Sequence, residues 1–182
     1  ELRDKSKMQW QIELPPTYLD AILPPDLPMQ IARGWLSGSL SLQGSWNEPS
    51  LKGSIEMVAD TIGFPTSNSL PKPFEPLTKL QNFRCQIEAE GRRAKLVKLE
   101  ADFGGGTVTG NGWLELGERG LQNLFANKGE LRIKMQGVKA NWNGTEVNLK
   151  TIALRGDLNE KGFGLSVEQL QGEGLDAQGN VH

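Results

Sequence analysis

The sequence predicts an all-β fold in which consecutive strands pair as one long antiparallel meander. Apolar and polar residues alternate along most of the chain, which is the period of a strand with one apolar face. All ten prolines precede residue 77, and 16 of the 22 glycines follow residue 100. A long stretch that lacks proline but contains many glycines is typical of hydrogen-bonded strands joined by tight turns.

The clearest unit of this pattern lies between Gly34 and Met57. Leucines occupy alternate positions in its first half with serines between them, and the alternation resumes after Asn47-Glu48-Pro49. This arrangement predicts a hairpin with one apolar and one polar face.

The flanking segments contain the predicted exceptions to the strand pattern. A first strand is expected to end at Pro15-Pro16, followed by one short helix at residues 18–23, which Pro24-Pro25 must terminate. Residues 65–76 contain four prolines and are predicted to form a loop or an edge excursion. We interpret residues 1–182 as a single β-rich segment of a longer, repetitive protein.

Glycines mark the predicted turns and one unusual strand in the second half. Turns are expected at Glu90-Gly91-Arg92, at the glycines 104–106 and at Asn143-Gly144. Gly110 and Gly112 fall within a strand on its apolar side. They indicate either a bulge or bend in a curved sheet, or the close approach of another backbone or a long ligand.

Composition and residue types argue against several functional classes. The formal net charge of −2 and the lack of a basic stripe argue against nucleic acid as a partner. The chain has one histidine, His182, and one cysteine, Cys85, so we expect no catalytic relay, no metal site and no cofactor. A pair of carboxylates that acts as in a glycosidase is left as an alternative. Our prediction is that the protein is not an enzyme. We also expect no transmembrane segment in these residues.

The apolar side of the meander needs a cover, and the sequence supplies almost no helix for it. The sheet can close into a barrel, stack as two sheets, or form an open trough whose concave side holds an apolar guest. In the last case the trough is lined by residues in the apolar phase of the strands: Leu40, Leu42, Ile55, Met57, Ile87, Leu99, Phe103, Val108, Gly110, Gly112, Leu114, Leu116, Ile133 and Leu154.

Two motifs carry a resemblance to a known family. The first motif has two parts: G-x-L-x-L-x-G at residues 38–44, followed by x-N-x-P-x-L-x-G-x-I, which ends at Ile55. The second motif is F-G-G-G-x-V-x-G-x-G-x-L-x-L at residues 103–116. Together they resemble the TamB family of envelope proteins and its AsmA-like relatives, over about residues 34–170. The resemblance implies a taco-like β-trough with an apolar interior.

The same resemblance implies a function and a location. It indicates a periplasmic segment of a protein anchored in the inner membrane of a diderm bacterium. Such a segment shields phospholipid acyl chains in transit between membranes, assists outer-membrane protein assembly with an outer-membrane barrel as partner, or does both. The alternative is a secreted β-helical adhesin or polysaccharide-binding module. Strand direction discriminates the two, because a β-helix requires parallel ladders.

Overall fold

The computed structural model describes residues 8–21, 30–45, 48–63, 79–116, 128–142, 145–159, 162–172 and 175–181. These residues form ten strands: β1 (Met8–Tyr18), β2 (Gln30–Gly44), β3 (Pro49–Gly63), β4 (Lys79–Gly91), β5 (Arg93–Phe103), β6 (Gly106–Glu115), β7 (Lys128–Trp142), β8 (Thr145–Asn159), β9 (Gly162–Gly172) and β10 (Leu175–Val181).

The strands form one sheet in the order in which they occur in the sequence. Each strand pairs with its sequence neighbours, and all nine pairings are antiparallel. The predicted all-β antiparallel meander is therefore confirmed. Because β1 and β10 do not pair with each other, the sheet is open, and it is not curled up on itself. We accordingly describe its apolar side as a face and not as a trough.

The short helix predicted at residues 18–23 is present as a 3₁₀ helix, and residues 22 and 23 lie outside the described part of the chain. Only a 3₁₀ helix, Leu19–Ala21, occurs in the described part of this region, and β1 continues through Pro15-Pro16 to Tyr18. The two prolines coincide with a shift in the pairing register between Leu14 and Thr17. Proline is tolerated here because β1 is an edge strand, which needs hydrogen-bond donors on one side only.

Two of the predicted turns are confirmed, and other predicted connections lie outside the described residues. Gly91 adopts a φ of 62° at the end of β4, and Gly105 adopts a φ of 76° in the turn between β5 and β6. These left-handed values suit glycine, which has no Cβ to clash with the backbone. The proline-rich loop at residues 65–76 and the Asn143-Gly144 turn fall outside the described part of the chain.

The best-buried apolar residues lie toward one end of the strands. Ala59, Phe83, Ala101 and Val108 come from four successive strands and, with Ile62, form the core cluster. Each of the five is at most 8% exposed. Leu19 of the 3₁₀ helix is also buried, and its Cδ1 lies 2.6 Å from the point that a Cβ on Gly34 would occupy. The short helix therefore covers this end of β2.

A line of irregularities crosses the sheet beside the core. In β7, Met135 is partly buried and Val138 is buried. Residues three apart in a regular strand point to opposite faces, and these two share a face because Gly137 has a φ of 67°. Phe83 and Leu80 of β4 are related in the same way around Asn82, which has a φ of 51°. A left-handed residue at each position lets residues three apart share one face, and at Asn82 the pairing with β5 also shifts its register, as at a bulge.

The opposite face of the sheet is polar and carries cross-strand ion pairs. Arg155 of β8 contacts Glu130 of β7 at 3.0 Å and Asp157 of its own strand at 3.1 Å, and Arg132 also pairs with Glu130. The hydrogen bond to Asp157 and the two nearby carboxylates raise the pKa of Arg155 above its ordinary value. Pairs exposed to this degree contribute little to stability, so the polar face mainly keeps this side of the sheet in water.

Candidate functional site: an exposed apolar face

Three ladders of cross-strand neighbours define the apolar face. The outer ladder contains Ile12, Leu40, Gly53, Ala89, Ala94, Leu114, Gly129, Leu158 and Phe163. The middle ladder contains Leu14, Gly38, Ile55, Ile87, Leu96, Gly112, Leu131, Gly156 and Leu165. The inner ladder, next to the core, contains Leu36, Met57, Cys85, Leu99, Gly110, Ile133, Leu154 and Val167.

None of the residues in these three ladders carries a charge. The outer and middle ladders cross nine strands, from β1 to β9, and consist only of aliphatic residues, one phenylalanine and glycines. An isolated charge placed among apolar groups costs several kcal/mol unless it reaches water or a partner. The described part of the sheet therefore offers an apolar guest a surface without polar anchors.

The exposed side chains of the face lie in the outer and middle ladders, whereas every residue of the inner ladder is partly buried. Ile12 is 47% exposed and Phe163 63% exposed at the two ends of the outer ladder, and Ile87, Leu114 and Leu165 are also exposed. Every described strand belongs to the one sheet, so no second described layer covers this side. Several large exposed apolar side chains on one uncharged surface indicate an interaction site.

The predicted lining residues come together on this face. Leu40 and Leu114 lie in the outer ladder; Ile55, Ile87 and Gly112 in the middle one; and Met57, Leu99, Gly110, Ile133 and Leu154 in the inner one.

The other four predicted residues lie at the margins of the ladders. Leu42 pairs with Trp10 and Leu51, one step outside the outer ladder. Val108 belongs to the buried core, and Phe103 packs against it. Leu116 follows β6 and is buried; its backbone N–H donates to Arg92 O, and its carbonyl accepts from the Arg92 guanidinium.

Leu96 also lies on the apolar face, in the middle ladder, and strict alternation does not predict it because β5 contains a bulge. Leu96 pairs with Gly112 and Leu99 pairs with Gly110, so two residues of β5 oppose the single Asn111 of β6. A strict count of alternate positions instead places Val97 in phase with Leu99, whereas Val97 is the extra residue of the bulge, between Leu96 and Lys98. Gly110 and Gly112 flank the residue of β6 that lies opposite the bulge in β5, and the backbone of β7 also approaches Gly112 closely.

Gly112 has a further role, because β7 approaches it closely. A Cβ on Gly112 would lie 2.5 Å from the backbone oxygen of Glu130, and a backbone oxygen cannot rotate away as a side chain can. We expect Gly112→Ala to destabilise the protein by about 1–3 kcal/mol, as measured by urea unfolding. The control is Gly164→Ala, where the nearest atom is the Asp157 oxygen at 4.0 Å. Equal stability of the two variants would contradict the predicted clash.

The strand carboxylates Glu56, Glu88 and Glu100, which are candidates for a glycosidase-type pair, lie on the polar face. Glu88 pairs with Lys95, Glu100 with Arg84, and Glu56 with Gln86, so none of these three has a carboxylate as its direct partner in those ladders. A shallow polar pocket of about 220 Å³ also lies by the β5–β6 turn, lined by Lys79, Gln81, Asp102, Gly104 and Gly105. Neither feature gives two facing carboxylates.

The remaining reactive residue types are sparse in the described chain. Among the described residues, no group of three or more histidine, cysteine, aspartate or glutamate residues could hold a metal ion. Cys85 is half-buried against the core cluster, and burial raises the pKa of its thiol. Cys85 thus acts as a small apolar residue of the inner ladder, as its phase in the sequence predicts.

Comparisons of the chain with models of protein families, with curated proteins and with solved structures find no significant match. Among the described residues, no helix has the length and apolar character needed to cross a membrane.

Proposed function

We propose that this chain is a non-enzymatic segment of an envelope-biogenesis protein, and that its apolar face shields lipid acyl chains from water. The observation that carries the proposal is the pair of uncharged ladders, outer and middle, which cross nine strands and include five exposed large apolar side chains on β1, β4, β6 and β9. A soluble sheet normally covers such a surface with a second layer. A surface kept open needs an occupant, and acyl chains match its chemistry.

The dimensions and energetics of the face suit an acyl chain. Adjacent strands lie about 4.8 Å apart, so nine strands present a ladder of about 38 Å. That length exceeds one bilayer leaflet, which is roughly half of a 30 Å hydrocarbon core. Each buried methylene gains about 0.8 kcal/mol, so a 16-carbon tail gains on the order of 12 kcal/mol. The absence of charges from the ladders leaves the tail free to slide, since nothing binds it at one point.

The resemblance to the TamB family supports a specific setting for this activity. In that setting the segment lies in the periplasm, within a parent protein anchored in the inner membrane, and phospholipid passes along it between membranes. An outer-membrane assembly barrel is then the expected protein partner.

Strand direction disfavours the alternative of a β-helical adhesin. A parallel β-helix stacks its strands in parallel ladders, whereas all nine described pairings are antiparallel. The carboxylates Glu56, Glu88 and Glu100 also do not face one another across a polar cleft for a sugar polymer. No described feature favours this second function.

Photo-crosslinking tests the proposal by comparing neighbouring residues on opposite faces. A photoreactive amino acid at Leu42 or Leu114 should capture radiolabelled phospholipid in cells, because both positions lie on the apolar side. The matched positions Ser41 and Glu115 lie one residue away on the polar face and should capture none.

Two outcomes would count against the proposal. Equal capture at all four positions would remove the distinction between the faces. Capture of unfolded polypeptide but not of lipid at Leu42 and Leu114 would assign the face to protein assembly.

A further inference from the structure

One step outside the outer ladder, the apolar side carries a row of residues that contains a charge. We call this row the margin; its described members are Trp10, Leu42, Leu51, Gly91, Arg92 and Leu116. The Leu116 N–H donates to Arg92 O at 2.9 Å, so Arg92 lies opposite Leu116. This contact continues the β5–β6 pairing by one residue, and alternation therefore places Arg92 on the same side as Leu114.

Arg92 is partly buried and has no carboxylate partner among the described residues. Three of the described basic residues are partly buried, namely Arg92, Lys98 and Arg155, and the others are exposed. Lys98 and Arg155 each form ion pairs with carboxylates. None of the ion pairs in the described part of the chain includes Arg92. Because a charge that leaves water is normally paired, this guanidinium attracts an anion.

The backbone fixes the Arg92 guanidinium at the margin. Its Nε and Nη2 both donate to the Leu116 carbonyl oxygen, at 3.1 and 2.6 Å. Among the described residues, nothing accepts a hydrogen bond from Nη1. The neighbouring position is open, because a Cβ on Gly91 would have no atom within 4 Å. A fixed guanidinium with spare N–H donors beside open space suits a phosphate group.

We propose that Arg92 binds the phosphate of a phospholipid headgroup while the tails of that lipid lie on the apolar face. The site rests on the proposed function, to which it adds the class of headgroup. The margin and the inner ladder are six residues apart along a strand, or about 20 Å, and one leaflet is roughly 15 Å deep. A tail that starts at Arg92 therefore crosses only uncharged rows. The neighbouring carboxylates, Glu90 and Glu115, lie on the polar face as partners of Arg93.

Two lipids with identical tails test the headgroup contact. The purified chain is incubated with detergent micelles that contain either dioleoylphosphatidylglycerol or dioleoylglycerol, which lacks the phosphate, and retained lipid is measured after gel filtration. The unmodified chain should retain the phospholipid about tenfold better, which is the scale of one charge-assisted hydrogen bond. Arg92→Gln should remove this preference and leave the retention of dioleoylglycerol unchanged.

Two further variants separate charge from structure. Arg93→Gln is the matched control, because Arg93 is the next residue, lies on the polar face and stacks over the Trp113 ring at 4.4 Å from its centroid. It should keep the preference for phospholipid. Arg92→Lys keeps the positive charge but not both bonds to Leu116, and it should keep most of the preference. If Arg92 acts only on the fold, both of its variants should instead lose the two lipids alike, which would overturn the proposal.

The remaining outcomes distinguish the headgroup contact from lipid shielding. Inorganic phosphate in millimolar excess should compete only weakly with the phospholipid, since it has no tails; complete displacement would assign Arg92 to a free anion and overturn the headgroup site. Equal retention of both lipids, unchanged by Arg92→Gln, would overturn the headgroup site alone. If the unmodified chain retains neither lipid, both the site and the shielding of acyl chains are overturned.

Discussion

Leu114→Arg should abolish lipid capture by the apolar face while leaving the level of folded protein close to normal. Leu114 lies in the outer ladder between Ala94 and Gly129, and it is already exposed. In the absence of cargo, the new guanidinium therefore stays in water and costs the fold little. With acyl chains on the face, an unpaired charge costs several kcal/mol. Envelope integrity in cells and lipid recovered with the purified protein are the two measurements.

Glu115→Arg is the matched control for this variant. Glu115 is the next residue of β6, is exposed, and lies on the polar face between Arg93 and Lys128. The same new charge there should change neither lipid recovery nor envelope integrity. If both variants are tolerated equally, the face does not carry lipid. If Leu114→Arg loses lipid recovery and envelope integrity only because the protein unfolds and is degraded, the result gives no support to lipid shielding.

Sequence periodicity was sufficient to predict the sheet and most of its apolar face. Alternation depends only on the two-residue period of a strand, and Leu40, Ile55 and Leu114 therefore fall on one side in the structure as in the sequence. Sequential pairing followed from the turns, because short connections join neighbours. Hairpin turns such as the one at Gly91 require antiparallel partners.

Periodicity failed where a strand gains a residue. The bulge in β5 places Leu96 in the middle ladder and makes Val97 the extra residue, and no local sequence signal distinguishes this bulge from regular alternation. Its only trace is across the ladder, where Gly110 and Gly112 of β6 flank the opposed residue. The prediction that the first strand ends at Pro15-Pro16 was wrong for a different reason. Two prolines terminate a central strand but not an edge strand, and the sequence alone does not show which strand is an edge.

The difference in burial between the core and the outer ladder was also beyond the sequence, and it predicts that two phenylalanines behave differently. Phe83 lies in the core cluster and is 8% exposed, whereas Phe163 ends the outer ladder and is 63% exposed. Phe83→Ala should destabilise the protein by about 3–5 kcal/mol, because it removes buried area and leaves a cavity. Urea unfolding followed by tryptophan fluorescence measures the change.

Phe163→Ala should cost much less stability, about 1 kcal/mol or below, and should instead reduce lipid capture. Its ring covers Gly156, with Cζ 2.8 Å from the point that a Cβ on that glycine would occupy, so the variant loses this one aromatic cover of a strand glycine. The remaining ring surface faces water and is available to a guest. Equal destabilisation by the two variants would show that the outer ladder is as much a part of the core as Ala59 and Phe83 are. Unchanged lipid capture by Phe163→Ala would show that the guest does not lie at this end of the outer ladder.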